Sequence, residues 1–225
     1  MLPLALLVGA FLLISLPRYA GLDPGATPVR LDPGFPLHYP FLVGHVLFGS
    51  IALVTVCLQV WPRLRERHPA VHRWSGRVYV FAGMLPSTVL ALAITPFGHG
   101  EVGNAAAALL WLVTTSVGYR HIRLGRVVEH RRWMIYSFAL SLQIVWGRFL
   151  LLTLTATGQD LTDPAVQAFF FETASWIGFV INLLIAQWWL ERTARRGVPY
   201  ATPTATPPRH RPARVIAHRA TRRYS

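Results

Sequence analysis

Residues 41–61 read FLVGHVLFGSIALVTVCLQVW, a stretch of twenty-one positions without a single Asp, Glu, Lys or Arg. That length and character match the ~20 apolar residues an α-helix needs to cross ~30 Å of hydrocarbon. The run stops abruptly at Pro62-Arg63-Leu64-Arg65-Glu66-Arg67, as a helix leaving a bilayer does. Working outward, five further apolar stretches occupy roughly 2–19, 76–95, 104–120, 133–155 and 167–190. Open sheet edges cannot face lipid, so these stretches are expected to be helices. The expected fold is all-α: a polytopic transmembrane helical bundle of about six helices.

Composition agrees. The chain is 225 residues long, 53% hydrophobic and only 14% charged, with a mean hydropathy of +0.40. Soluble domains carry nearer 25% charged residues. The net charge of +13 resembles that of a nucleic-acid-binding protein, but all twenty-two basic residues are Arg and they cluster beside the apolar stretches. That distribution points to membrane topology and gives no reason to expect a nucleic-acid partner. The absence of Lys suggests a GC-rich bacterial genome. One cysteine, Cys57, lies inside an apolar run, which excludes an intrachain disulfide, a Cys-based zinc site and an iron–sulfur cluster.

Arginine also gives the orientation. Segments 62–77 and 120–132 and the part after residue 190 carry five, five and nine Arg, whereas segments 18–40, 96–103 and 156–166 carry only Arg18 and Arg30. By the positive-inside rule the Arg-rich side is cytoplasmic, and an even number of spans puts both termini there. The expected location is a bacterial cytoplasmic (inner) membrane. The N-terminal stretch lacks a basic segment before Leu2, and Arg18 stands where cleavage by signal peptidase needs a small residue, so it reads as a retained first helix. The organisation is then a transmembrane domain over 1–190 and a basic Pro/Thr/Arg-rich tail over 191–225, expected to be disordered. The partners implied are the lipid bilayer and anionic lipids at the cytoplasmic face. A short internal echo pairs His72-Arg73-Trp74…Tyr79 with His130-Arg131-Arg132-Trp133…Tyr136. Each His-Arg pair opens a helix leaving the cytoplasm, which suggests two parallel hairpins packed as a four-helix core.

Ionisable groups within a bilayer are costly and are functional candidates for that reason. His45, Arg148 and Glu172 each fall roughly 6–9 Å below the outer surface at 1.5 Å per residue, so they define a candidate outer polar site in which Arg148 and Glu172 balance charge and His45 exchanges a proton. The alternative is that Arg148 and Glu172 pin helices while His45 sits at headgroup level. His72 and His130 form the second candidate, since two imidazoles at one depth suit the axial ligation of a haem b. The competing reading is an interfacial belt, with Arg reaching lipid phosphates and Trp74 and Trp133 anchoring helices. His121 near His130 makes a poor metal site, and no metal centre is expected. His38 and His99 read as outer-loop residues and His210 and His218 as tail residues, while Gln59, Asn182 and Gln187 read as hydrogen-bonding groups between helices. No Walker A loop, Gly-x-Ser-x-Gly elbow or His-Glu-x-x-His motif occurs, which argues against soluble-type hydrolase or NTPase chemistry.

The residues His45, Gln59 with Arg63, His72-Arg73 with Gly76-Arg77 and Tyr79, then His130-Arg131-Arg132-Trp133-Met134 and Arg148, resemble the pattern of the DUF2306 family of predicted bacterial membrane proteins, over about residues 41–190. The resemblance implies a multi-helix membrane fold of unassigned function and picks out His45, His72, His130 and Arg148, but not Glu172 or His121. Three functions stay open at this level. The leading one is a haem- or quinone-binding membrane redox protein. The others are a small-molecule or ion carrier built on the outer site and a non-catalytic assembly or scaffold protein. No catalytic residue is assigned, and whether the protein is an enzyme stays open, with the non-enzymatic reading favoured.

Overall fold

The computed structural model describes residues 2–27, 31–97, 101–160 and 163–196, and the tail from 197 onward lies outside them. Helix α1 covers Leu2–Ser15 and is followed by a one-turn helix, Pro17–Ala20, so the 2–19 stretch is not one continuous helix. Pro17 has no N–H with which to continue the first ladder and opens a new turn instead. Helix α2, His38–Gln59, contains most of the decisive run. A one-turn helix at Pro62–Arg67 leads into α3, Pro69–Phe97, which starts seven residues before the apolar stretch it carries. Helix α4 is Glu101–Arg123, longer at both ends than its apolar core. Then come α5, Val127–Ser141, α6, Ile144–Ala156, and α7, Pro164–Arg196.

Four of these helices are long and apolar enough to cross a membrane: His38–Gln59, Pro69–Phe97, Val102–Arg123 and Ala165–Ala194; α1 is a shorter apolar helix. The 133–155 stretch, expected as one span, is split between α5 and α6 at Leu142-Gln143. The reason is tertiary. Asn182 of α7 donates to the Ala139 carbonyl at 2.8 Å and accepts from the Trp146 indole N–H at 2.8 Å, bridging the two helices across the break. Gly178 lets the chain come close: a Cβ there would lie 2.9 Å from the Gln143 carbonyl oxygen.

Helix α3 is irregular in another way. Tyr79–Met84 form a π turn, and the Leu85 amide bonds the Val80 carbonyl five residues back. Pro86 follows at once. Its missing N–H leaves the Ala82 carbonyl without its usual donor and its ring presses on that carbonyl, so the wider turn relieves the conflict.

The two hairpins α2–α3 and α4–α5 pack side by side, closed by α3 against α4 and α2 against α5, which makes the expected four-helix core. Helix α7 lies against α4, α5 and α6, and α1 against α2. The centre is built from Ala52 and Val56 of α2, Tyr79, Val80 and Met84 of α3, and Met134 of α5, with Trp111 and Tyr119 of α4 packed on it. The α2–α3 seam is made by small residues: a Cβ on Gly83 would fall 2.9 Å from the backbone of Ala52, and one on Gly49 3.2 Å from Ser87 Oγ. Inside, Ser75, Ser87, Thr88, Thr115 and Ser137 are all at most 1% exposed, while Leu47, Phe81, Val89, Val113 and Leu184 are more than half exposed on the outside. In water such a surface would be an aggregation hazard. Small and hydroxylated residues within and large apolar ones without is the arrangement a helical bundle takes in lipid.

Candidate functional site

His72 is the fourth residue of α3 and His130 the fourth of α5, so both stand in the first turns of helices that leave the Arg-rich end of the bundle. Their helices lie across its diagonal. The His130 Nδ1 is 2.8 Å from the Gly118 carbonyl of α4. A carbonyl only accepts, so Nδ1 carries the proton and, in the neutral ring, Nε2 keeps its lone pair. Gly118 itself is buried, and a Cβ there would strike the Met134 sulfur at 2.9 Å. The backbone approach that orients His130 therefore depends on glycine at this position.

Helix α2 holds the His72 turn. Gln59 Nε2 donates to the His72 carbonyl at 2.8 Å and to Ser75 Oγ at 2.6 Å, while Ser75 Oγ donates to the Val71 carbonyl at 2.8 Å. The Gln59 amide lies over Gly76, where a Cβ would come within 3.3 Å of it. The His72 ring has its Nδ1 buried without a protein partner. His130 and Arg65 lie within electrostatic reach of it. His121, one turn after Gly118, has its Nδ1 buried and unpartnered too. Among the described residues no group of three or more His, Cys, Asp or Glu is arranged to hold a metal ion. The site is a pair of imidazoles with a third nearby.

About two turns further into the bundle lies a closed ring of hydrogen bonds. Trp111 Nε1 donates to Tyr79 Oη at 2.8 Å, and Thr115 Oγ1 donates to the Trp111 carbonyl at 2.8 Å. With the Thr115 proton committed, Ser137 must donate to Thr115 at 2.6 Å, and Tyr79 in turn to Ser137 at 2.6 Å. The ring begins and ends on Trp111 and has no ionisable terminus, so it clamps α3, α4 and α5 together rather than conducting protons.

The residues of the expected outer site belong to three helices, α2, α6 and α7. His45 of α2 faces α3: its Nδ1 lies 3.0 Å from the Ser87 carbonyl, and Ser87 Oγ donates back to the His45 carbonyl at 3.1 Å. Glu172 of α7 accepts from the Trp176 indole at 2.5 Å. No hydrogen bond joins His45 to Glu172 among the described residues. Arg148 belongs to α6, and its side chain lies outside the described residues. His38 is not a loop residue: it opens α2, is 2% exposed and accepts the Asp32 amide on Nδ1 at 3.0 Å. His99, His210 and His218 lie outside the described residues. Gln59 and Asn182 bond between helices as expected, and Gln187 accepts from Tyr136.

Sequence reasoning did not find the orphaned nitrogen of His121 or the break at Leu142-Gln143, where Gln143 Oε1 is also buried without a partner. The signal for the break lay a helix away, in Gly178 and Asn182. No curated protein and no solved structure matches the chain. The family model described as "Predicted membrane protein (DUF2306)" matches residues 42–190, about two thirds of the sequence, from the second turn of α2 to the last turns of α7. This chain belongs to the DUF2306 family of predicted membrane proteins.

Proposed function

We propose that this membrane protein binds a b-type haem between His72 and His130, at the Arg-rich end of the four-helix core. The observation that carries this reading is the state of the two imidazoles. His130 has its tautomer fixed by the Gly118 carbonyl, which leaves the Nε2 lone pair free, and a ligating histidine characteristically has its other nitrogen bonded in this way. His72 stands at the same helical position across the diagonal, its turn held by Gln59 and its Nδ1 unclaimed by protein. Two nitrogens satisfy a six-coordinate haem, whereas a zinc site needs three or four protein ligands. The bound group would supply a one-electron centre. The chain's own contribution is to hold the rings and to close off the interior below them with the Trp111–Tyr79–Ser137–Thr115 ring. In this reading residues 1–190 cross a bacterial inner membrane six times, with α5 and α6 forming one broken crossing. Both termini are cytoplasmic, and anionic lipid is the partner at the Arg-rich face.

The test is an absorption spectrum, oxidised and dithionite-reduced, of protein purified in detergent after expression with a haem precursor. A Soret band with sharp reduced α and β bands is expected, at least tenfold weaker in His72→Ala and in His130→Ala. A colourless protein would sink the proposal.

The break at Leu142-Gln143 favours a second reading, a carrier. Irregular backbone at membrane depth is tolerated only where protein or a cavity covers it, and broken helices mark the substrate sites of many transporters. On that reading a small anion such as chloride, phosphate or acetate raises the melting temperature of the protein, and Arg148→Ala abolishes the rise.

A further inference from the structure

Helices α5 and α7 enclose an apolar groove of about 230 Å³ lined by Ile135, Ala139 and Leu142 on one side and Asn182, Ile185, Ala186 and Trp189 on the other. Its lining is almost wholly apolar, and the Asn182 amide is already engaged, donating to the Ala139 carbonyl and accepting from the Trp146 indole. Ile185 and Trp189 are both 53% exposed, so the groove opens outward to the surrounding membrane. From Leu142 to Ile135 it runs seven residues along α5, roughly 10 Å, toward the Arg-rich end.

What stands at that end is decided by helical spacing. Arg131 precedes Ile135 by four residues, and Arg192 follows Trp189 by three and Ile185 by seven, so each continues the stripe that lines the groove. Both are exposed. Arg192 is steadied by stacking its guanidinium over Trp188, 4.3 Å from the ring centroid, which leaves the donors at its edge available. Of the neighbouring carboxylates, Glu191 accepts from Gln187 Nε2 at 2.5 Å, and Glu129 lies two residues from Arg131, on the opposite flank of α5.

An apolar slot open to lipid and closed at the interface by two guanidinium groups is complementary to one molecule the membrane supplies, an anionic phospholipid. We infer that the α5–α7 groove seats an anionic phospholipid of the leaflet on the Arg-rich side, one acyl chain lying against Ala139 and Ala186 and the phosphate between Arg131 and Arg192. The proposal is independent of the haem reading, since none of these residues belongs to the histidine pair.

Native mass spectrometry of the full chain, released from detergent after incubation with equimolar phosphatidylglycerol and phosphatidylcholine, reads the site directly. Phosphatidylglycerol adducts are expected to exceed phosphatidylcholine adducts at least fivefold. The excess should fall to about one in the Arg131→Gln/Arg192→Gln double variant and persist in Arg131→Lys/Arg192→Lys. It should also persist in Arg65→Gln/Arg67→Gln, which removes the same charge from the loop helix. Equal retention of the two lipids by the unaltered chain would mean that the groove takes any acyl chain, and an equal loss in the loop variant would mean that diffuse charge sets the preference. Either result overturns the assignment.

Discussion

The α2–α3 pair and the α5–α6–α7 group both contain a backbone irregularity at membrane depth, and they accommodate it in opposite ways. In α3 the irregularity is absorbed within the helix. Tyr79–Met84 widen into a π turn ahead of Pro86, every residue stays helical, and the turn packs on α2 with Gly83 against Ala52. Between α5 and α6 the helix stops, and a side chain from α7 repairs it: Asn182 bonds the Ala139 carbonyl and receives the Trp146 indole. Hydrocarbon offers no partner to a freed peptide group, so each must be satisfied from within the protein. The first solution uses close packing of small residues and the second a polar bridge. The first should therefore respond to added volume and the second to lost hydrogen bonds.

The largest effect is expected from Gly83→Val. The new Cβ would sit 2.9 Å from Ala52 backbone atoms, which cannot rotate away as a side chain would. Overpacking costs typically 1–3 kcal/mol, and a clash against backbone belongs at the upper end, about 3 kcal/mol. Unfolding by SDS titration in mixed micelles should show the transition at clearly lower SDS. A valine tolerated at below 0.5 kcal/mol would mean that the seam is loose and that the contrast between the two regions is wrong.

Asn182→Leu comes next. It leaves the Trp146 N–H without its acceptor and removes one of the donors to the Ala139 carbonyl, and interhelical bonds of this kind are worth about 1–2 kcal/mol in a membrane at most. The cost should be local. Amide hydrogen exchange should quicken across residues 139–146 and stay unchanged across 79–86. Acceleration in both segments would show that the two regions unfold as one unit, and the comparison would then lose its meaning.

The ease with which each feature is read from sequence follows the same division. The spanning stretches, the two hairpins and the common helical position of His72 and His130 are written in local patterns: apolar length, Arg clusters, and a His-Arg pair before an apolar run. The break at Leu142-Gln143 is not, because Leu140-Ser141-Leu142-Gln143-Ile144 contains no proline or glycine and would continue as helix if nothing else touched it. The decision is made by Gly178 and Asn182, some forty residues away. Depth along a helix likewise does not say which helices are neighbours: His45 packs toward Ser87 on α3, and Glu172 bonds Trp176 on its own helix. His38 shows the limit of apolar patterning at helix ends: Phe35 and Phe97 bury its ring at the start of α2, a contact invisible in its immediate neighbours.

The smallest effect is expected from Pro86→Ala, which asks what keeps the π turn in place. Alanine restores an N–H that the Ala82 carbonyl can accept, removing the local reason for a wide turn. Reverting to a regular α-helix would nevertheless rotate Pro69–Val78 by roughly 100° relative to the rest of α3. That rotation would take Tyr79 out of its bonds with Trp111 and Ser137 and Ser75 away from Gln59. Those contacts outweigh one regained helix bond, worth about 1 kcal/mol, so the turn should persist. Stability should change by less than about 1 kcal/mol, and exchange at residues 79–86 should slow slightly. The contact between Trp111 and Tyr79 supplies the decisive readout: a marked shift of tryptophan emission, absent when the same substitution is made in a Trp111→Phe background, would show that the helix had straightened. Pro86 alone would then impose the turn, and the packing of Gly83 on Ala52 would be its consequence.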